Sequence, residues 1–345
     1  MNKKIFFPII LMALAISACV PEEKTLTVMT HDSFAISDNI ISAFEQKHNI
    51  KVNIVFGGDA GSMLNKAILS KNAPVADIIY GIDNTFLSRA LDEGLFESYQ
   101  SKMLDVIPEE FILDRDFAAL PVDYGDVCIN VDLSYFKQNK LPLPETLEDL
   151  TKTEYAGLLV VQNPATSSPG LAFLLATIAE YGSDGYLEYW SKLKQNDVVV
   201  VNDWETAYYV NFSGSSGKGP QPMVVSYGTS PAAEVIFSDE ALTEAPTASL
   251  VGKNMCFRQI EFAGILKGTK NRDMAELFID YMLGIDFQED IPMNMFVFPV
   301  NKQAQIPQEF HDYTQVPDFP ASLPMEEISV YREEWIMSWR QMMLQ

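Results

Sequence analysis

Two hydrophobic periods take turns along this chain. Leu26-Thr27-Val28-Met29-Thr30, Lys51 to Phe56 and Ala76 to Ile82 are short apolar-rich runs that read as strands. Between and after them the spacing changes to threes and fours: Ile40, Ile41 and Phe44 within Ser37 to His48, then Leu64, Ala67, Ile68 and Leu69, then Phe86, Leu87, Ala90 and Leu91. Each of these is a helix with one face turned inward. Turn residues separate the two kinds, Gly57-Gly58-Asp59-Ala60-Gly61 before the second helix and Asp83-Asn84 before the third. Regular alternation of strand and helix predicts a parallel sheet with helices packed over it.

Near Leu120 the pattern changes. Pro121-Val122-Asp123-Tyr124-Gly125-Asp126 runs into Val127 to Val131, a long alternating strand that reads as a crossover to a second lobe. A second α/β series follows: strand Leu158 to Gln162, the turn Asn163-Pro164-Ala165-Thr166-Ser167-Ser168-Pro169-Gly170, an apolar helix Leu171 to Tyr181 and a further helix Leu187 to Leu193. Val198 to Val201 and Met223 to Tyr227 are its later strands, and Arg258 to Leu266 reads as the return to the first lobe. Asn271 to Leu283 is helical, Phe296 to Val300 extended, and Ile328, Tyr331, Trp335, Trp339 and Met342 mark a closing amphipathic helix. A length of 345 residues also favours two cores over one. The expected division is 25–122 with 260–345, including the C-terminal helix, as one lobe and 123–259 as the other.

The stretch from Asp203 to Pro231 repeats one grammar, a buried strand ending at a turn that opens a helix. Asp203 and Ser230 are N-cap types, and Pro231 suits the first helical position. Asp59, Asp83 and Ser167 or Ser168 hold the same place in their own units. Each could serve its helix merely as a cap. Their shared position is at the carboxyl ends of strands, where open α/β sheets bind ligands. Bare helix N-termini attract anions, and aspartate placed there reverses the local sign in favour of a cation. Trp204 and Tyr227 would offer ring faces to that cation, each contact worth about 0.5–2 kcal/mol.

Composition narrows the classes. The formal net charge of −23 leaves no basic footprint for nucleic acid. Only His31, His48 and His311 are available as imidazole bases, and no Cys/His cluster has zinc spacing. Gly214-Ser215-Ser216-Gly217-Lys218-Gly219 fails as a phosphate loop, because Phe212 stands at the first glycine position and Gly219 at the Ser/Thr position. It reads as a flexible loop. Lys3 and Lys4 precede an apolar run from Ile5 to Ile16, too short for a permanent span and typical of a secretory signal. The remaining Cys128 and Cys256 lack motif spacing and read as buried small apolar residues, although export leaves a bridge chemically open.

Ile16-Ser17-Ala18-Cys19 resembles the lipobox of bacterial lipoproteins, which implies cleavage of residues 1–18, lipid on Cys19 and a tether over 19–24. The longer motifs Thr30-His31-Asp32-Ser33-Phe34, Gly81-Ile82-Asp83-Asn84, Asp123-Tyr124-Gly125, Asn163-Pro164 with Thr166 to Leu171, Trp204 to Tyr208, Ser226 to Pro231 and Phe298-Pro299-Val300 occur in order. Together they resemble the thiamine-binding proteins of bacterial ABC importers. The resemblance implies a type II periplasmic-binding-protein fold: two α/β lobes, a hinge and a ligand cleft between them. Carried over by position, it implies ligand contacts at Asp59-Ala60, Ser167-Ser168, Trp204, and Tyr227, Gly228, Thr229 and Ser230. The same motifs, with Phe296 close to the last of them, supply His31, Asp32, Asp83, Asp123, Tyr124, Tyr208 and Phe296 as further candidates. Where enteric members carry other residues, this chain has His31, Ala60, Ala233 and Phe296.

The expected protein is therefore a lipid-anchored, extracytoplasmic, monomeric binder. It captures thiamine, a thiamine phosphate or a related pyrimidine and hands it to an ABC permease, without catalysis and without a cofactor. Tyr208-Tyr209 leaves an alternative open, ferric iron or a polyamine on the same fold.

Overall fold

The computed structural model describes residues 24–215, 218–238 and 242–345. The signal segment, Cys19 and the tether up to residue 23 lie outside the described residues, as do two residues of the Ser213 to Pro220 loop. Lys24, expected in the tether, already pairs with Ile50.

The first half runs β1 (Lys24–Thr30), α1 (Asp38–His48), β2 (Ile50–Phe56), α2 (Ala60–Leu69), β3 (Ile78–Asp83), α3 (Leu87–Asp92), β4 (Phe96–Glu97) and the long β5 (Leu120–Asp132). Then come α4 (Leu133–Asn139), β6 (Leu159–Gln162), α5 (Ser168–Gln195), β7 (Val199–Val201), the π-helix Thr206–Asn211, β8 (Met223–Tyr227), α6 (Ser230–Ile236), β9 (Thr247–Leu250) and β10 (Phe257–Leu266). The chain closes through α7 (Arg272–Met282), α8 (Ile285–Met295), β11 (Phe298–Pro299), α9 (Gln308–Tyr313) and α10 (Met325–Leu344).

The eleven strands of the described residues form one sheet, ordered β2-β1-β3-β10-β5-β8-β6-β7, with β4 beside β10 and β9 and β11 beside β5. Two parallel blocks, β2-β1-β3 and β8-β6-β7, are joined by β5 and β10, which run antiparallel to each other and to their neighbours in the blocks. Parallel strands are covered on both faces and so read as continuous apolar runs. Every residue of β3, Ile78–Asp83, is buried. The β5/β10 register slips between Glu261 and Phe262, an irregularity of the kind that re-aims a side chain. Glu261 sits at that slip.

Three sequence expectations are corrected. Cys128 and Cys256 are bonded to each other rather than packed as separate apolar residues. Phe257 faces Val127 in an antiparallel register, so the next pair outward is Cys256 opposite Cys128, with Cα atoms 4.2 Å apart. The two helices expected before Val198 are one element, α5, broken at Gly182, whose φ of 73° only glycine adopts readily. Phe296, expected to be extended, is the left-handed cap (φ 58°) of a helix containing Pro292 that periodicity did not expose.

The closing helix α10 docks on α5. Trp339 meets Trp190 edge to face at 5.3 Å, both fully buried. The buried stripe is Ile328, Arg332, Trp335, Ile336, Trp339 and Met343, so Tyr331 falls outside it. Arg332 takes the inward place and donates to the Thr85 carbonyl (3.2 Å) and the Ser88 hydroxyl (3.3 Å). Among the described residues no helix is long and apolar enough to cross a membrane.

Candidate ligand-binding cavity

The carboxyl ends of β1, β2, β6, β7 and β8 all open toward one place, a cavity of about 240 Å³. Turns after these strands build its walls. Asp32 closes the first: its carboxylate accepts from Gly58 N (2.9 Å), and its own N–H donates to the Gly58 carbonyl (3.1 Å). This cross-tie needs Gly58 at φ 95°. Asp59 then caps α2, accepting from Ala60 N at 2.8 Å through Oδ1 while Oδ2 is buried with no partner. Glycine at 61 lets this corner close on the opposite block, since a Cβ there would stand 3.0 Å from the Ala165 carbonyl.

Across the cavity, α5 begins at Ser167 and Ser168, whose hydroxyls are buried without hydrogen-bond partners. Gly170 permits the close seat of this turn, because a Cβ would meet the Gln162 carbonyl at 2.6 Å. Asp203 caps the next helix, accepting from Thr206 N at 2.7 Å. That helix is π-wound, a form that recurs at functional sites. Trp204 at its start stacks on Tyr208 (5.1 Å, 17°), meets Tyr227 edge-on at 6.4 Å and donates from Nε1 to Ser226 Oγ at 3.0 Å. Ser226 Oγ continues to Ser230 Oγ, also at 3.0 Å. Ser230, expected as the cap of α6, is its first residue, and the cap position is held by Thr229.

Charge in the cavity is one-sided. Asp32, Asp59, Glu205 and Glu261 line it, and His31 is the one basic side chain among the described lining residues. His31 Nε2 lies 3.3 Å from Glu261 Oε2, close enough for attraction but not aligned for a hydrogen bond. Burial works to lower the His31 pKa, yet the Glu261 carboxylate, helped by Asp59 and Asp32, outweighs it and raises it. Asp59 is raised by its burial, against the opposing pull of the Ser167 hydroxyl, which lies beside the carboxylate without an aligned hydrogen bond, and of the Ala60 N–H. Burial likewise raises Tyr227 well above the usual phenol value, with Glu261 and Asp59 adding to it.

Of the sequence candidates, His31, Asp32, Asp59, Ala60, Ser168, Trp204, Tyr227, Ser230 and Phe296 line this cavity. Others stand behind it. Asp83 is wholly buried at the end of β3, holding Thr85 N (2.6 Å) and Phe86 N (3.3 Å) through Oδ1. Its pKa is pushed up to about 6 by burial. Asp123 accepts from the Tyr80 hydroxyl in the core. Tyr124, the next residue on a strand of period two, points away and stacks between Phe111 (4.6 Å) and Phe298 (5.4 Å). Tyr208 is buried and donates to Glu234 at 2.7 Å. Ser167 backs Asp59, Gly228 N donates to the Asp126 carbonyl (2.7 Å), and the Thr229 hydroxyl donates to the Phe296 carbonyl.

Sequence reasoning missed Glu205, Tyr209, Glu261, Phe34, Asn294, Met295 and Val297. A single acid inside the apolar run Arg258 to Leu266 was the signal for Glu261, since buried glutamate is rare without a role. Asn294 and Met295 carried no signal once α8 went unrecognised.

A cleft at the strand ends of two joined α/β blocks, furnished with ring faces and buried polar atoms without partners, defines a solute-binding protein. The model for the family described as bacterial extracellular solute-binding protein matches residues 73–318, and the chain belongs to that family. It is 30% identical to the thiamine-binding periplasmic protein of Brucella suis biovar 1 (strain 1330) over 325 residues, 92% of this chain and 91% of the relative. A solved periplasmic thiamin binding protein superposes with a TM-score of 0.82 at 28% identity, covering 92% of this chain and 96% of that one. The fold is thus the type II periplasmic-binding-protein fold. An iron-bound protein from Pseudomonas aeruginosa shares it, with a TM-score of 0.75 at 19% identity over 92% and 99% of the two chains.

Proposed function

We propose that this protein captures thiamine, or a thiamine phosphate or related pyrimidine, outside the cytoplasm and delivers it to an ABC permease. The observation that carries the reading is the pair of buried carboxylate oxygens without hydrogen bonds, Asp59 Oδ2 and Glu261 Oε2, in a cavity walled by Trp204 and Tyr227. Buried acceptors are normally satisfied, and a cationic heterocycle with donor groups would satisfy these. About 240 Å³ admits one small molecule rather than a peptide. The thiamine-binding relatives support the same cargo.

Asp59 and Asp32 would contact the aminopyrimidine, Trp204 and Tyr227 the rings, and Ser168 and Ser230 the hydroxyethyl or phosphate end. Asp83, Asp123, Tyr124, Ser167, Tyr208, Gly228 and Thr229 would hold those groups in place from behind. Residues 25–122 with 260–345 and residues 123–259 would close as two lobes about β5 and β10, tethered as a monomer through lipid on Cys19.

Ferric iron is the second reading, kept open by the fold it shares with the Pseudomonas aeruginosa protein and by Tyr208-Tyr209. Against it, Tyr208 is buried and its hydroxyl is committed to Glu234 at 2.7 Å. Among the described residues no group of three or more His, Cys, Asp or Glu is placed to hold a metal.

Mass spectrometry of ligand released from protein purified without refolding tests the proposal. A thiazolium or pyrimidine species is expected. Its absence, with a visible charge-transfer band on adding ferric iron, would replace thiamine by iron.

A further inference from the structure

We propose that His31 is a resident cation that the ligand replaces: protonated, it balances Glu261 and Asp59 in the empty cavity, and a ligand of fixed positive charge expels that proton to solvent. The inference rests on the cationic ligand proposed above and adds a proton exchange to its binding.

Geometry carries it. His31 is 8% exposed, and the inner edge of its ring rests on Gly81, where a Cβ would stand 2.2 Å from Cδ2. Gly81 has φ 96°, so backbone and packing together reserve that niche for the ring. Acids face it from every side: Asp32 on its own turn, Asp59 from α2, Glu261 from β10 at 3.3 Å and Glu205 from the turn after β7. Tyr80 of β3, with its ring centre 6.1 Å away, is a neutral neighbour, its hydroxyl committed to Asp123. No Lys or Arg lines the cavity among the described residues.

Glu261 and Asp59 are the carboxylates that act most strongly on His31, so a ligand cation set against them competes with the imidazolium for the same partners. The thiazolium nitrogen is quaternary and carries no proton, so below alkaline pH the ligand can neither take up nor release the exchanged proton at that nitrogen. Placing it against Glu261 and Asp59 weakens the attraction that keeps His31 protonated. The proton leaves Nε2 for buffer and the ligand cation takes its place, so charge in the cavity is conserved. Linkage gives the sign: the free protein holds more protons than the complex, so affinity rises with pH. The rise ends above the His31 pKa of the empty protein, which the Glu261 carboxylate raises over that of an ordinary imidazole against the opposing effect of burial. An uncharged ligand would not drive the exchange.

Calorimetry of thiamine binding in buffers of different ionisation enthalpy reads the proton directly. Release of about one proton per ligand is expected below the His31 pKa, with affinity rising about tenfold per pH unit there. In His31→Gln the release falls to the small share contributed by the carboxyls and the pH slope flattens. Because that variant could misfold, imidazole NMR of the native protein gives a second reading. Among its three histidines, the His31 signals should move to the neutral form on adding thiamine. Absence of any thiamine binding overturns the functional reading and this inference with it. Binding without proton release, or release that persists in His31→Gln, overturns the exchange alone.

Discussion

The two ends of β3 bury an aspartate each, and the two are treated oppositely. At the entry, Asp77 is saturated: Thr27 N at 2.7 Å, the Thr269 hydroxyl at 2.5 Å and Asn271 Nδ2 at 3.1 Å fill both of its oxygens. At the exit, Asp83 fills one oxygen and leaves Oδ2 bare, and beyond it Asp59 and Glu261 also keep one oxygen each without a hydrogen bond. Burial is common to both ends, so burial does not mark the site. Unused acceptor capacity on carboxylates that also line the cavity, Asp59 and Glu261, does. A folded chain that leaves several buried carboxylate oxygens unbonded holds a cost of order 1–3 kcal/mol at each, and a ligand can relieve it.

The contrast makes graded predictions. Asp77→Ala should lower stability by about 4 kcal/mol, because several donors lose their acceptor, while thiamine affinity in calorimetry stays unchanged. A change in affinity would mean the two ends are not independent. At the other end, Asp83 has a pKa of about 6 against 3.8 for a free carboxyl. Its folded form binds the proton more tightly than the unfolded form. Stability from this group is thus full below the unfolded pKa and lost, by up to about 3 kcal/mol, as pH rises through the folded one. Denaturation of ligand-free protein across that window should show the slope, and Asp83→Asn should remove it. Asp59→Asn should weaken thiamine binding roughly 50-fold with stability equal or higher, the reverse of Asp77→Ala. Trp204→Ala should cost about tenfold in affinity, the value of one ring face plus its burial, and unchanged affinity would remove Trp204 from the site.

Strand and helix order was legible because parallel strands and amphipathic helices leave strong periods. Helix α8 was not, because Pro292 and the flanking Phe296 look like breaks to a pattern reader, while packing tolerates the first and the second adopts a left-handed cap. The disulfide was illegible because it depends on the β5/β10 register, which joins residues 128 positions apart. Turn residues such as Asp59, Ser168 and Ser230 were readable from their place after strands. Which candidates face the cavity was not: Asp123 and Tyr124 are adjacent in one motif, yet one is buried in the core and the other stacks on the far side. Glu261 needed a strand irregularity to reach the cavity floor, and irregularities carry no period.

The proposed grip is that of unsatisfied carboxylates on a fixed positive charge. Its most direct test compares calorimetric affinities for thiamine and for an uncharged isostere whose thiazolium nitrogen is replaced by carbon. The charged ligand should bind at least roughly 100-fold more tightly, with the gap shrinking in high salt. Equal affinity for the two would contradict the account.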